Sequence, residues 1–462
     1  MKMTAEEVAR ACGGRLLGGD PSAEVLSATT DSRDVKPGAL FVPLVGEKTD
    51  AHRFIGKAFA AGASASLTQE SKASGGPGTL IAVNDTLAAL QKLAAAWRTK
   101  FAGPVVGITG SVGKTTTKEM AALAISAGRS VMKTEGNRNS QVGLPLTVLR
   151  LSPEYGAAVI EMGMSEFGEM SRLAVVAAPD CAIVTNIGLS HIGNLGSQQN
   201  IRSEKLHITD RFHEGSVLFL NGDDPLLAEL RGTLPFRTVF YGTQPWCDFR
   251  AENIRVGAEA SDFRFVSPDG ETGDLHLPVP GVHCVLDALA GLAAAKQLGV
   301  PLAGAAAALA RYRPPAMRMQ IRRAGGITVI DDSYNSSPDA AKSSVSVLCG
   351  FRGGRRVAVL ADMLELGDFS RQGHFGVGEY AAKAGADLLV TIGPEARAIA
   401  EGALSVNPGM GYYICASNAE AVETLGRILR AGDTVLVKGS RGMKTDEIVR
   451  SLLSGAEVKS DK

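Results

Sequence analysis

The sequence lacks an excess of either charge. Lysine and arginine together number 48, aspartate and glutamate together also number 48, and the formal net charge of the 462-residue chain is therefore zero. A chain whose net charge is zero has no overall electrostatic attraction for nucleic acid or for an anionic membrane surface. Any anion that it binds must therefore be held by a local site. At about 150 residues per domain, this length predicts about three domains.

Closely spaced cysteines are also missing. None of the six cysteines forms a C-x-x-C motif, and they stand at positions 12, 181, 247, 284, 349 and 415. Their separation argues against a zinc site or a dithiol redox site and favours a reducing compartment.

Long apolar runs are absent as well. The Ala-rich segment 288–312 comes closest, but Lys296, Gly299 and Pro301 interrupt it, and it falls short of the roughly 18 apolar residues typical of a membrane-spanning helix. We expect two short helices there. Near the amino terminus, Glu6 and Glu7 stand where a signal peptide would be apolar. We therefore expect a cytoplasmic protein without membrane insertion.

What the chain does contain is an alternation of apolar segments with helical patterns, in three blocks: 1–99, 100–313 and 314–462. The first block contains short strands and helices, with a loop at 71–79. The central block repeats strand, glycine-rich turn and helix. Its continuously apolar segments at 104–109, 157–163, 181–188 and 216–224 are typical of buried parallel strands. Strand-like segments follow near 246–280.

The third block repeats the alternation, with apolar segments at 326–335, 355–363, 387–393, 412–417 and 433–443. Alternation of this kind predicts an α/β fold with a doubly wound parallel sheet. Ligands of such sheets bind beyond the carboxyl ends of the strands.

The stretch GITGSVGKTTTKEM, residues 107–120, has the context of a phosphate loop. Gly110 and Gly113 allow backbone N–H groups to close on phosphate oxygens, and the following helix presents its positive end. Lys114 would reach the β- and γ-phosphates, and the Thr115 hydroxyl would bind Mg²⁺. Ile108 occupies the first glycine position of the usual motif. The alternative interpretation is a glycine-rich turn without a ligand.

The form T-G-x-x-G-K-T-T resembles the phosphate loop of the Mur ligases, the ATP-dependent amide-forming enzymes of peptidoglycan assembly. Six further stretches narrow the resemblance to members that add D-alanyl-D-alanine to UDP-N-acetylmuramoyl-tripeptide. They are TEGNRNSQVGLPLTVL (134–149), EMGMSEFGEM (161–170), TNIGLSHIGNLGS (185–197), IDDSYNSSPDA (330–340), LADMLELGDFSRQGH (360–374) and VLVKGSRGMK (435–444). The resemblance extends from about residue 29 to 450.

This resemblance implies an α/β protein of three domains. The N-terminal α/β domain would hold the UDP-linked substrate, the central parallel-sheet domain ATP and Mg²⁺, and the C-terminal Rossmann-like domain would help to close the site over the dipeptide. ATP would phosphorylate the terminal carboxylate of the tripeptide, and the dipeptide amine would attack the acyl phosphate. Such chemistry requires charge neutralisation and positioning without a protein nucleophile. The third residue of the tripeptide, lysine or diaminopimelate, stays open, and we expect a monomer.

The resemblance also implies the roles of individual residues. The expected catalytic residues are Lys114, Glu161, His191 and Lys205. The expected metal ligands are Thr115, Glu161, His191 and, if it is carbamylated, Lys205. The expected ATP contacts are Gly110, Ser111, Val112, Gly113, Lys114, Thr115, Thr116, His283, Asp287, Arg318 and Asp331. The expected substrate contacts are Ser32, Arg33, Asn137, Asn139, Asp332, Asn335, Lys438 and Arg441.

Five positions depart from the family pattern, and one of them is Ser140, which stands where the family often has a second adjacent asparagine. Cys284 and Asp287 replace two asparagines near the adenine, and Met317 stands where glycine is usual. Because an ionised aspartate only accepts hydrogen bonds, we expect weakened adenine recognition. His207 stands where glutamate usually follows the carbamylated lysine.

Several expected site residues have plainer interpretations. Glu161 would form a structural ion pair, and His191 would be a structural histidine. Ser32 and Arg33 would form a turn. Without the resemblance, Lys205 would be interpreted as a solvated surface lysine. The pair Asp331 and Asp332 would be interpreted as helix capping ahead of Pro338.

Other functions stay open from the sequence. A related Mur ligase that adds the third residue typically carries a D-N-P-R-like segment, and this chain has DMLELG in the corresponding region. Folylpolyglutamate synthase is a second alternative. A third, from a different class, is a phosphate-loop binding or switch protein that forms no amide bond.

Overall fold

The computed structural model describes residues 1–47, 49–72 and 78–455. Two compact units are present. One contains residues 1–109, 129–183 and 204–218, and the other contains 110–128, 184–203 and the chain from Phe219 onward. The loop predicted for 71–79 lies largely outside the described residues, as does the end of the third predicted block.

The first block forms a small mixed sheet with helices. Its order is β2-β7-β6-β5-β4; the β2–β7 pair is antiparallel and the remaining pairs are parallel. The first helix begins with a reciprocal capping box between Thr4 and Glu7, which satisfies two backbone donors. The elements are β1 (Met3–Thr4), α1 (Ala5–Cys12), β2 (Arg15–Gly18), β3 (Glu24–Val25), β4 (Ser27–Thr29), β5 (Ala39–Phe41), α2 (Ile55–Ala60), β6 (Ala63–Gln69), β7 (Thr79–Val83) and α3 (Thr86–Arg98).

The central block supplies a nine-stranded sheet. Its elements are β8 (Val105–Thr109), α4 (Lys114–Ile125), β9 (Val131–Lys133), α5 (Gly143–Val148), β10 (Ala157–Glu161), α6 (Glu169–Ala177), β11 (Cys181–Val184), α7 (Ile192–Leu195), α8 (Gln198–Leu206), β12 (Val217–Asn221), α9 (Pro225–Ala228), β13 (Arg237–Gly242), β14 (Phe249–Val256), β15 (Ser261–Val266), β16 (Thr272–Leu277), α10 (Val282–Gln297) and α11 (Leu302–Leu309). The strand order is β16-β15-β14-β13-β12-β11-β8-β10-β9.

The predicted strands of this block are confirmed. Strands β8, β10, β11 and β12 are buried along their whole length, and β8, β10 and β9 pair in parallel. The strand-like region near 246–280 forms the antiparallel run β14-β15-β16. The predicted interruption of the Ala-rich segment is also confirmed, since α10 ends at Gln297 and α11 begins at Leu302.

The third block forms a six-stranded sheet in the order β17-β18-β22-β19-β20-β21. All its pairs are parallel except β17–β18, and the buried aliphatic side chains of the parallel strands form its core with two helices. The elements are β17 (Gln320–Ala324), β18 (Ile327–Asp331), α12 (Pro338–Gly350), β19 (Arg356–Ala361), α13 (Ser370–Ala384), β20 (Leu388–Ile392), α14 (Arg397–Val406), β21 (Gly411–Cys415), α15 (Asn418–Ile428), β22 (Thr434–Lys438) and α16 (Asp446–Gly455). Within the described ranges, no helix has the length and apolar content needed to cross a bilayer.

Candidate functional site

The predicted phosphate loop joins β8 to α4, from Gly110 to Gly113. Gly110 has a φ of 149° and Gly113 a φ of 85°, in the region that favours glycine. A Cβ at Gly110 would collide with Thr185 Oγ1. Gly113 is the N-cap of α4 and makes no side-chain hydrogen bond there. The first N–H groups and the positive end of a helix favour an anion.

Residues just after β11 hold this loop in shape. Asn186 accepts a hydrogen bond from Val112 N at 2.9 Å and donates one to Val112 O at 3.1 Å. Ser111 N donates to Asn186 O at 3.0 Å, and Thr185 Oγ1 donates to Val112 O at 2.5 Å. Sequence reasoning assigned no role to Thr185 or Asn186, although both lie in the TNIG stretch that carried the resemblance.

The Lys114 side chain lies over the same loop. Its Nζ donates to Gly110 O at 2.8 Å and to Ser111 O at 3.3 Å. This arrangement keeps a positive charge beside the backbone that is predicted to hold phosphate. Thr116, the last of the predicted loop contacts, is half-buried in the first turn of α4.

Asp287 faces the phosphate loop from α10. Its Oδ1 accepts a hydrogen bond of 2.6 Å from Thr117 Oγ1. Burial raises the pKa of this carboxyl to about 8, although the Thr117 hydrogen bond lowers it. Asp287 is therefore mostly protonated at neutral pH, and its O–H can donate. This corrects the expectation that it only accepts. The prediction about adenine recognition stays a prediction.

Two further residues of α10 are part of the expected nucleotide region. Cys284 is 2% exposed, and burial raises the pKa of its thiol well above the ordinary value. Burial lowers the pKa of His283, although the charge of Asp332 raises it. We therefore expect both side chains to be neutral at neutral pH.

Arg318 links the phosphate loop to the third block. Its Nη2 donates to Thr115 Oγ1 at 3.3 Å, and its guanidinium carbon lies 4.1 Å from the centre of the Tyr334 ring. Arg441 contacts the same ring at 5.6 Å. Cation–π contacts of this kind hold guanidinium groups in place. Sequence reasoning missed Tyr334, although it lies between the predicted residues Asp332 and Asn335.

The backbone conformation at Met317, beside Arg318, is one that favours the glycine usual in the family. Met317 has a φ of 62°, a left-handed conformation that glycine adopts at no steric cost. The usual glycine therefore suits this position, and Met317 adopts the same conformation with a side chain present.

The segments DDSYN and VKGSRG meet after β18 and β22. Lys438 is 3% exposed, and its Nζ donates to Asp332 Oδ2 at 2.5 Å and to Asn335 O at 3.0 Å. Arg441 N donates to Asn335 Oδ1 at 3.3 Å. The Lys438 ammonium group is thus engaged inside the protein, and this limits its predicted contact with a substrate carboxylate.

The two aspartates serve different partners. Asp332 accepts hydrogen bonds from Ser344 Oγ at 2.7 Å and Met319 N at 3.1 Å in addition to Lys438. Burial raises its pKa, but the charge and hydrogen bond of Lys438 outweigh burial and lower it. Asp331 accepts from Ser333 Oγ at 2.6 Å, and burial raises its pKa. The N-cap of α12 is Ser337, so the helix-capping interpretation of the aspartates is wrong.

His191 lies in the loop between β11 and α7 and faces the DMLELG segment. Its Nδ1 lies 2.8 Å from Glu365 Oε2. The close contact with His191 lowers the pKa of Glu365, while burial raises it. Both residues have left-handed backbones, with φ of 64° and 66°. The pairing gives Glu365 a contact that the sequence did not predict.

In the other unit, Glu161 and Asn139 lie together at the end of β10. Asn139 Nδ2 donates to Glu161 Oε1 at 2.6 Å, and Glu161 is 2% exposed. Gly163 N donates to Asn139 O and Asn139 N donates to Asn137 O. The TEGNRNS segment therefore folds against the strand end that carries the predicted metal ligand.

Lys205 lies near the end of α8 and is 1% exposed. The interpretation of this residue as a solvated surface lysine is therefore wrong. The adjacent Glu204 accepts hydrogen bonds from Gly168 N at 3.0 Å and Met170 N at 2.9 Å. His207, which replaces the usual glutamate, is 46% exposed in its side chain and lies 3.0 Å from Asp210.

Ser32 and Arg33, two of the predicted substrate contacts, lie in the turn after β4. Arg33 pairs with Asp31 at 2.6 Å and its side chain is 79% exposed, while Ser32 is half-buried. The Arg33 hydrogen bonds lower the pKa of Asp31 to about 2. The guanidinium of Arg33 is thus accessible to an anionic ligand.

The chain also resembles known proteins. Family models match three stretches: "Mur ligase family, catalytic domain" at residues 25–98, "Mur ligase middle domain" at 108–295, and "Mur ligase, glutamate ligase domain" at 317–441. The UDP-N-acetylmuramoyl-tripeptide–D-alanyl-D-alanine ligase of Bacillus subtilis (strain 168) is 36% identical, over 98% of this chain and 99% of its own. The chain belongs to the Mur ligase family.

Solved Mur ligase structures share its fold. MurF from Acinetobacter baumannii aligns with a TM-score of 0.91 at 29% identity, covering 98% of this chain and 99% of that one. MurF from Thermotoga maritima, solved in complex with ADP, aligns with a TM-score of 0.81 at 28% identity, covering 92% and 96%. The predicted α/β fold with a three-domain Mur ligase architecture is therefore confirmed, while the boundaries near residues 99 and 313 stay a prediction.

Proposed function

We propose that this Mur ligase joins D-alanyl-D-alanine to UDP-N-acetylmuramoyl-tripeptide and converts ATP to ADP and phosphate. The observation that carries the proposal is the relative from Bacillus subtilis, which bears this activity in its name and matches the chain over nearly the full length of both proteins. MurF from Thermotoga maritima, solved in complex with ADP, supports a nucleotide ligand for this chain, and we propose the phosphate loop as its site.

The reaction would proceed in two steps. The terminal carboxylate of the tripeptide attacks the γ-phosphorus of ATP, which gives an acyl phosphate and ADP. The dipeptide amine then attacks the acyl carbon, an amide bond forms, and inorganic phosphate leaves while the amine loses a proton. Lys114, Arg318 and the first N–H groups of α4 supply positive charge where anionic reactants meet.

Mg²⁺, when bound, would neutralise phosphate charge. Among the described residues, no three His, Cys, Asp or Glu side chains converge on one point. Mg²⁺ sites commonly use one or two protein oxygens beside substrate phosphates and water, and the Thr115 hydroxyl at the start of α4 fits such a site. We propose Thr115, Glu161 and His191 as ligands.

Lys205 is proposed to be carbamylated. The ammonium group would first lose a proton, and the neutral amine would then attack CO₂, form an N–C bond and release a second proton. The positive charge of the lysine is thereby replaced with a negative one. Lys205 is 1% exposed, and the resemblance to the family supports its modification. The carbamate would add oxygen ligands of the kind that Mg²⁺ prefers.

The substrate contacts are proposals of the same kind. Ser32 and Arg33 would contact the UDP group, and Asn137 and Asn139 the peptide-bearing substrate. Asp332, Asn335, Lys438 and Arg441 form one connected cluster after the strands of the third block, where doubly wound sheets bind ligands. We further propose a cytoplasmic monomer, and the six free thiols agree with a reducing compartment.

The test is a phosphate-release assay in which each acceptor is omitted in turn. We expect phosphate release that requires both UDP-N-acetylmuramoyl-tripeptide and D-alanyl-D-alanine. Release with UDP-N-acetylmuramoyl-dipeptide and a single amino acid would favour the ligase that adds the third residue, and release with a folate and glutamate would favour folylpolyglutamate synthase. ATP hydrolysis indifferent to every acceptor would indicate a phosphate-loop switch protein.

A further inference from the structure

A buried carboxyl group packs directly against the phosphate loop. Asp287 is 7% exposed and holds Thr117 through the 2.6 Å hydrogen bond. An added Cβ at Gly113 would lie 3.0 Å from Asp287 Oδ1. One turn further along α10, an added Cβ at Gly291 would lie 3.1 Å from Ala121 N. The close approach of α10 and α4 therefore fixes the carboxyl group beside the loop.

The groups that face Asp287 give it little compensating charge. Three titratable side chains interact with the charge of Asp287: Tyr241 from β13, Cys284 from α10 and Tyr312 after α11. Burial, the largest cause, holds the pKa of each well above its ordinary value. All three therefore remain neutral at neutral pH. On α4, Lys118 and Glu119 pair with each other at 3.0 Å.

The remaining elements that pack against α10 present apolar side chains or carry charges that do not affect Asp287. The strands β14 and β15 bury Phe249, Ala251, Phe263 and Phe265. The charge of Arg318 lowers the pKa of Tyr312. It does not shift the pKa of Asp287, which burial raises to about 8. An ionised Asp287 would place an uncompensated negative charge in a buried position beside the phosphate site, which is unfavourable.

We propose that Asp287 is a proton-linked positioning residue: as the neutral acid it holds Thr117 and packs on Gly113, and its ionisation opposes the binding of nucleotide phosphates. The proposal rests on the proposed function, because it requires a nucleotide at this loop. A protonated carboxyl group has nearly the size of the asparagine amide that is usual at this position, and it likewise both donates and accepts.

The sign of the linkage follows from these charges. Bound phosphate makes the ionised form of Asp287 less favourable, so the pKa is higher in the complex than in the free protein. Below a pH of about 8, binding changes no proton at this group. Above it, binding takes up a proton, and the affinity falls by at most about tenfold per pH unit.

The experiment is calorimetry of ADP binding to the full chain, on both sides of a pH of about 8, in pairs of buffers with different ionisation enthalpies. We expect the wild type to lose affinity and to take up a proton above that pH, and Asp287→Asn to do neither. Thr117→Val should move the loss of affinity to higher pH, because the Thr117 hydrogen bond lowers the pKa of Asp287. Because the two variants change only Asp287 and its hydrogen-bond partner Thr117, differences between the three pH profiles report on Asp287.

Each outcome of this experiment either supports or overturns the role proposed for Asp287. The same pH dependence in the wild type and Asp287→Asn would overturn the proposal while leaving the nucleotide site in place. If Asp287→Asn fails to fold, an unshifted profile in Thr117→Val would overturn it, and an upward shift would support it. Absence of ADP binding to the wild type at every pH would refute the proposed function, and this proposal with it.

Discussion

Among single residues, the strongest functional expectation attaches to Lys114. Its Nζ is held by Gly110 O and Ser111 O, so its charge is positioned before any ligand binds. Lys114→Ala should reduce kcat by at least about 10²-fold, the effect of removing one preorganised charge-stabilising group. Lys383→Ala, on a helix surface beside Glu379, is the matched control and should leave kcat unchanged. Near-normal turnover in a folded Lys114→Ala protein would refute the assignment.

Lys205 provides the second residue-scale prediction. If it is carbamylated, Lys205→Ala should lose most activity, and added short carboxylates should restore part of it by replacing the lost oxygens. Protein equilibrated with ¹³C-labelled bicarbonate should show a carbamate carbon signal by NMR that is missing from the variant. Carboxylate rescue also separates this role from simple misfolding, because an unfolded protein would not recover. Full activity in Lys205→Ala, or in wild type stripped of CO₂, would contradict the prediction.

Several residue environments were beyond the reach of sequence patterns. The helix that carries Lys205 reads QQNIRSEKL, a polar segment in which burial of a lysine has no local signal. Lys438 meets Asp332 across 106 positions of sequence, and Tyr334 meets Arg318 only through the folded loop. The raised pKa of Asp287 likewise depends on tertiary burial. The sequence predicts which segments contribute to the site, and tertiary packing decides how their side chains are paired.

At the scale of elements, prediction was more successful because strands and loops carry local signals. Continuous apolar runs predicted β8, β10, β11 and β12, which are buried on both faces as parallel strands are. The glycines of the phosphate loop predicted its turn. The role of Thr185 and Asn186 in bracing that loop was not predicted, because hydrogen bonds between separate loops have no periodicity to reveal them.

The turn between β8 and α4 yields an element-scale prediction with an internal control. Gly110→Ala should abolish ADP binding and lower the Tm, since a Cβ would collide with Thr185 Oγ1 and the φ of 149° disfavours alanine. Gly426→Ala, in α15 with open space around it, should instead stabilise the fold by about 0.5–1 kcal/mol, because glycine is a poor helix residue. Thermal unfolding and calorimetry measure both. A Gly110→Ala protein with unchanged affinity would show that the loop tolerates a side chain.

For the molecule as a whole, the balance of charges means that anion binding must be local. The net charge is zero, yet two of the proposed substrates, ATP and UDP-N-acetylmuramoyl-tripeptide, are anionic nucleotides. The cations that the structure brings to the phosphate loop and the third block, Lys114, Arg318 and Arg441, are held by backbone carbonyls or by the Tyr334 ring. Such fixed charges bind anions without long-range attraction, so we expect binding to depend on these positions more than on the total charge.

The cysteines give the last prediction, which concerns the whole chain. All six are free thiols, and only Cys349 is half-exposed while the other five are buried. Burial raises the pKa of the Cys349 thiol, so its thiolate fraction at neutral pH is small and its reaction is slow. Titration of the native protein with a thiol reagent should therefore label Cys349 alone, and faster as pH rises. Unfolding without reductant should release all six.

Cys349→Ser is the control for this measurement and should leave no site that reacts in the native state. Fewer than six thiols after unfolding would reveal a disulfide and contradict the expected reducing compartment. Rapid native labelling at several positions would show that the five buried cysteines become exposed by local opening of the fold. Because five of the six lie in the cores of packed elements, such labelling should become detectable only as the native structure approaches its unfolding transition.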